Sequence, residues 1–202
     1  MLRTMTPART LLRQIIFVSC LLTFGLFASG CSESAGGGSL KVKSPATGEK
    51  ELSRKSGYAF AVTKSFTDTS GKITTAASYR VYAANYDLDA GNFAMTLDKP
   101  LASEDQVRVV FSLVGQQGSN DKSAPVVGTY SAKAEKFMKV EDVAVVSRRG
   151  GADNKAALDR STLSGAAKVS SVSGDAISGE VDLTSGAISI KGPFTAKILV
   201  RK

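Results

Sequence analysis

The chain of 202 residues contains no histidine. That removes Ser-His-Asp and Cys-His catalysis, histidine-based zinc sites and imidazole pH switches. Cysteine is almost as scarce. Cys20 lies inside an N-terminal apolar stretch and Cys31 closes it, so the remaining chain offers no thiol and no disulfide. An oxidising compartment tolerates this when the core is large enough to need no staples. With neither imidazole nor thiol, only oxygen-ligand metals such as calcium remain open, and no cofactor is expected. Acidic residues are missing from the first 13 positions, which carry Arg3, Arg9 and Arg13.

Those arginines precede an apolar run from Ile15 to Ala28, after which small residues lead to Cys31. A basic region, an apolar core and small residues at the cut make a secretory signal. The apolar core falls short of the ~20 residues of a transmembrane helix. Its end, Ala28-Ser29-Gly30-Cys31, resembles the lipobox of bacterial prolipoproteins. Ala28 stands where that family prefers Leu, and Leu26 lies two residues earlier. The resemblance implies that residues 1–30 are a removed signal peptide and that Cys31 is diacylated, with palmitate-like chains, and becomes the new N-terminus. It further implies a membrane partner reached through Cys31. Ser32, in place of an Asp, points to the outer rather than the inner membrane of a bacterial envelope. Two or more acyl chains give stable attachment, each buried CH₂ contributing ~0.8 kcal/mol.

Removal of the signal leaves 172 residues, one domain's worth. The net charge of +8 drops to about +5 once the three signal arginines are gone. That balance suits an anionic envelope surface and does not call for nucleic acid. Residues 31–56, Gly-rich and then polar, read as the lipidated terminus and a flexible tether, although Leu40 and Val42 alternate with Lys41 and Lys43 as in a short strand.

From residue 57 to 202 the pattern is strand-like. Tyr58, Phe60, Val62 and Phe66 alternate, and Ile73–Tyr86 is a long strand with Tyr79 and Val81 on one face and Arg80 and Tyr82 on the other. Phe93–Leu97 reads as a short strand, and 155–160 as a short helix capped by Asp153 or Asn154. Val107, Val109, Phe111 and Leu113 share the core face of the clearest central strand. The last third gives three strands separated by Ser-Gly-Asp and Thr-Ser-Gly turns, a meander. Gly192-Pro193 marks a bulge or an edge within the last of them. The expected fold is mainly β: one antiparallel β-sandwich or barrel-like domain after a signal peptide and tether.

Several constellations bear on function. Asp87, Asp89 and Asp98 surround Gly91 and Asn92 in partial likeness to a calcium loop, but the glycine is one place early and strands flank it, so a hairpin turn is favoured. Ser119-Asn120-Asp121-Lys122 matches Ser-x-x-Lys within a loop and without a Lys-Thr-Gly partner. Glu104 with Asp105, Glu141 with Asp142, and Glu180 with Asp182 are the acidic pairs. Glu180 and Asp182 share a strand face, as two glycosidase carboxylates would, or as a solvated face would. Arg80, Tyr82 and Tyr86 stand opposite the core face and form the candidate surface for a ligand or partner. Arg148-Arg149 and Arg201-Lys202 are basic turns or tails suited to solvent or to anionic lipid. Together these features suggest a lipid-anchored, non-catalytic binding or structural module facing an envelope protein or glycan. The alternative is a carboxylate-dependent hydrolase of envelope glycan.

Overall fold

A computed structural model describes residues 38–200. The signal region, Cys31 and the terminal Arg201-Lys202 lie outside the described residues. In chain order the strands are β1 (Leu40–Ser44), β2 (Gly48–Leu52), β3 (Ser56–Thr67), β4 (Ile73–Ala84) and β5 (Val107–Val114). β6 (Gly128–Ser131), β7 (Lys139–Arg149), β8 (Ala152–Ala157), β9 (Ser164–Ser173), β10 (Ala176–Ser185) and β11 (Ile188–Leu199) follow. A single helical turn, α1 (Phe93–Thr96), lies between β4 and β5.

Eight strands close a barrel in the order β3-β4-β5-β7-β6-β9-β10-β11 and back to β3. Two blocks of antiparallel strands meet at two parallel seams. One seam joins β11 to β3 at Lys197↔Tyr58, Ile198↔Ala59 and Leu199↔Phe60; the other joins β6 to β7 at Ser131↔Lys139. Closure removes most of the free edges that an open sheet would present. The remaining length of β11 pairs with β1, and the remaining length of β7 pairs with β8. Gly192-Pro193 stands where the edge of β11 passes from β1 to β3, which suits a residue without an N–H.

The barrel interior is filled by Tyr79, Phe111, Tyr130 and Phe194 with aliphatic side chains around them. Phe111 and Phe194 meet edge to face with centroids 5.2 Å apart. The alternation in β5 places Val107, Val109, Phe111 and Leu113 inside, as expected. β3 reverses the usual sizes: the small Ala59 and Ala61 face inward, and the bulky Tyr58 and Phe60 face outward into a second apolar layer. That layer is supplied by residues 85–106, which leave the end of β4 and fold back over the outer faces of β3, β4 and β5. Leu88 and Leu97 are buried there against Tyr82 and Val110.

Three local expectations are corrected. Residues 40–52 are not tether: Leu40, Val42 and Leu52 are buried in the main core, because β11 offers an edge that the β1–β2 hairpin can pair with. The folded domain therefore begins by residue 40 rather than 57. Residues 93–96 form a helical turn instead of a strand, since Phe93 and Leu97 must both point down onto the sheet, a spacing a helix supplies. Residues 152–157 form β8 rather than a helix. Asp153 does not cap; its carboxylate accepts from the Leu101 N–H at 3.0 Å and from Arg148 Nη1 at 2.9 Å.

Candidate functional site

The face expected to carry recognition is built mostly into the second apolar layer. Tyr82 does lie on the outer side of β4, opposite Tyr79, but it is only 1 % exposed because the 85–106 excursion covers it. Its ring stacks on Phe60 at 6.0 Å, and its hydroxyl donates to Asp98 Oδ2 at 3.0 Å. Burial is the main reason its ionisation is pushed well above the ordinary phenol range. Arg80 is half-exposed, with its guanidinium 5.5 Å from the Tyr82 ring centroid and Nη2 3.4 Å from Asp98. Tyr86 is half-buried, and its hydroxyl accepts from Arg108 Nη1 at 3.1 Å. The same nitrogen donates to the Lys99 carbonyl at 2.9 Å. Arg80, Tyr82 and Tyr86 thus fasten the excursion to the sheet, and the expectation of an exposed tyrosine face is corrected.

The calcium candidates do not converge. Asp89 pairs with Lys99 at 2.9 Å and accepts from the Gly91 N–H at 3.0 Å, contacts that hold it below the ordinary carboxylate range. Asp98 serves Tyr82 and Arg80, and Asp87 is exposed. Among the described residues no group of three or more carboxylate, thiol or imidazole side chains is placed to hold a metal. The acidic pairs are equally dispersed. Glu104 accepts from the Gly150 N–H at 2.7 Å, Glu141 pairs with Lys64, Asp142 pairs with Arg160, and Asp182 pairs with Lys191 at 2.8 Å on the exposed side of β10. Glu180 lies on that same exposed side. Ser119 accepts from the Ala77 N–H at 2.9 Å and donates to the Gln116 carbonyl, which is turn chemistry.

A concave feature lies at one end of the barrel. β11 stops at Leu199 after three pairs with β3, and β3 runs on to Thr67. The loop from Gly115 to Val127 crosses the open end. It is held by the Tyr79 hydroxyl, which donates to the Ser123 carbonyl, and by Thr63 and Asp121, which exchange two hydrogen bonds of 3.0 Å. Burial pushes the Tyr79 phenol up to about 12. Beside the plug, where the wall lacks a strand, a lateral cleft of about 620 Å³ remains. Val62 and Phe93 line one flank, and Val172, Ile198 and Val200 line the other. Val62 is 44 % and Val200 78 % exposed. The charged residues of the cleft are Asp121, Lys122 and Asp175. Asp121 is engaged with Thr63, and Asp175 lies 3.3 Å from Lys197. Among the described residues the Lys122 ammonium has no ion-pair partner.

A smaller cavity of about 320 Å³ sits at the other end, between the two added hairpins, beside Pro45, Arg149, Asn154 and Ile188. It does not reach the barrel interior residues that floor the larger cleft. Mouths of β-barrels are common ligand sites, and mostly apolar clefts with a few convergent polar groups fit them best. Sequence reasoning missed this cleft because it arises from a parallel pairing between residues about 140 positions apart. The one local signal was Val62, an apolar residue left on a solvent face.

No protein-family model, curated protein or solved structure matches the chain.

Proposed function

We propose that this is a lipid-anchored protein of the bacterial envelope whose barrel is a non-catalytic binding module. The cleft at the barrel mouth carries the reading: it encloses about 620 Å³, it is walled by partly exposed apolar residues, and its charged rim holds Asp121, Lys122 and Asp175. The anchor follows from the lipobox-like Ala28-Ser29-Gly30-Cys31 and the basic and apolar segments before it. Cys31 is acylated and binds the membrane, and Ser32 directs the protein to the outer membrane. Gly38 follows Cys31 by seven residues, a reach of at most ~25 Å when fully extended. The barrel is therefore held against the bilayer, where its ligand or partner is an envelope molecule rather than nucleic acid.

What supports binding over glycan hydrolysis is the position of the acids. Glu180 and Asp182 face solvent on a strand, away from the cleft, whereas glycosidase carboxylates converge on a bound sugar. Replacement of Cys31 by serine tests the anchored reading. The variant is expected in the soluble fraction or as an uncleaved precursor. Unchanged membrane association, with no acyl mass on the native protein, contradicts it.

A further inference from the structure

We infer that the barrel meets the bilayer with its cleft end, where Val62, Met95, Val127 and Val200 enter the lipid interface. This rests on the lipid-anchored reading and specifies the surface that faces the membrane. Val62 and Val200 flank the cleft, and Met95 belongs to α1, beside Phe93 of the cleft wall. Val127 ends the loop across the mouth, one residue before β6. Ile73 opens β4 opposite Thr67, in a hairpin that Phe66 ties to Phe137 just ahead of β7, at the same end. These are the five large apolar side chains left exposed among the described residues. The turns of the opposite end, at 45–47, 150–151 and 186–187, carry none of them. Apolar residues exposed singly over a whole surface are ordinary, but five gathered at one end mark a face that something covers.

The position of the anchor says what covers it. β1 is antiparallel to β11, so the N-terminal side of β1 points to the end where β11 finishes. A Cβ on Gly38 would meet the Pro193 ring, which places Gly38 beside Pro193. Leu199 lies six residues further along β11, about 20 Å at the rise of a strand. Cys31 precedes Gly38 by seven residues, a reach of at most ~25 Å. The chain before Gly38 is therefore long enough to bring Cys31 to the cleft end and enters β1 from that side; the opposite end requires a reversal. Charges of both signs, Lys72 and Lys122 with Asp68, Asp121 and Asp175, sit among the apolar residues, so sign does not choose the partner. The apolar side chains choose it, and an acylated Cys31 holds them within reach of lipid.

Depth-dependent quenching tests the orientation. The full chain, matured in bacteria, is placed in vesicles of phosphatidylethanolamine and phosphatidylglycerol, some carrying a nitroxide near the top of the acyl chain. Met95→Cys, Val127→Cys and Val200→Cys each receive an environment-sensitive fluorophore, with Ala187→Cys, exposed at the opposite end, as control. The first three should shift to the blue and be quenched, while Ala187→Cys stays water-like and unquenched. Adding Ile73→Asp to Val200→Cys should abolish the quenching, because a charge below the head groups is expensive. Circular dichroism of each variant confirms that it is folded. Water-like, unquenched signals from all three positions overturn the bilayer as partner. Equal quenching at Ala187→Cys overturns the orientation. Intact mass reports acylation of Cys31 in the same samples. Where Cys31 proves free, the readings are repeated in Cys31→Ser with vesicles added, so failure of the anchor and failure of the surface are read separately.

Discussion

Tyr82 and Asp98 are joined by a hydrogen bond of 3.0 Å that closes the outer apolar layer over β4. Most of the value of Tyr82 lies in its buried ring, not in this bond. Tyr82→Ala should cost ~3–5 kcal/mol, about as much as Phe111→Ala in the barrel interior. Tyr82→Phe should cost only about 0.5–1.5 kcal/mol, because the half-exposed Asp98 carboxylate regains water. Urea unfolding of the three variants separates ring from hydroxyl. A near-neutral Tyr82→Ala would mean that the excursion does not cover the sheet.

The seam between β3 and β11 depends on Gly57. A Cβ there would overlap the backbone carbonyl of Thr195. Gly57→Ala should therefore push the strands apart at the base of the cleft and cost ~1–3 kcal/mol, as overpacking does. Thermal melting together with hydrogen exchange at residues 58–60 and 197–199 reads the effect. Undiminished protection there would contradict the seam.

The β1–β2 hairpin is part of the domain, and its loss should show. A chain starting at residue 57 lacks Leu40, Val42 and Leu52, each worth ~1.5–3 kcal/mol of burial. Against a typical total of ~5–15 kcal/mol, that is enough to leave a marginal or molten species. A chain starting at residue 38 should melt cooperatively. Equal stability of the two fragments would place the hairpin outside the cooperative unit.

The sequence was most readable where one strand face alone decides the outcome. β5 and the meander of β9, β10 and β11 follow from period-two alternation and from Gly-rich turns. The β1–β2 hairpin was harder to see because its buried residues, Leu40, Val42 and Leu52, are embedded among lysines and glutamates and need the β11 edge to become core. Arg80 and Tyr82 lie on the expected outer side of β4, but Tyr86 falls past its end at Ala84, in the excursion. The cover over Tyr82 comes from Leu88 and Leu97, in a segment whose return path no local pattern announces. The cleft has the same origin, a pairing at long range that ends three residues after it begins.

Alkaline pH should unfold the barrel through its tyrosines. The phenol of Tyr79 is raised from ~10 when unfolded to about 12 in the fold, chiefly by burial. Between those values the unfolded chain has lost a proton that the folded chain keeps. The contribution is complete below about pH 10 and is lost as pH rises towards 12. Burial raises Tyr82, Tyr86 and Tyr130 in the same direction. Phenolate absorbance from these four should therefore appear together with loss of the β circular dichroism signal. Ionisation near the ordinary value within an intact fold would contradict their burial.

The central claim is a barrel held to the envelope by lipid, and the intact mass of the mature protein extracted from bacterial membranes tests it most directly. The account predicts a chain beginning at Cys31 and carrying the added mass of a diacylglyceryl group, with or without a further amide-linked acyl chain. A mature chain that begins elsewhere, or that begins at Cys31 with a free thiol, would contradict it.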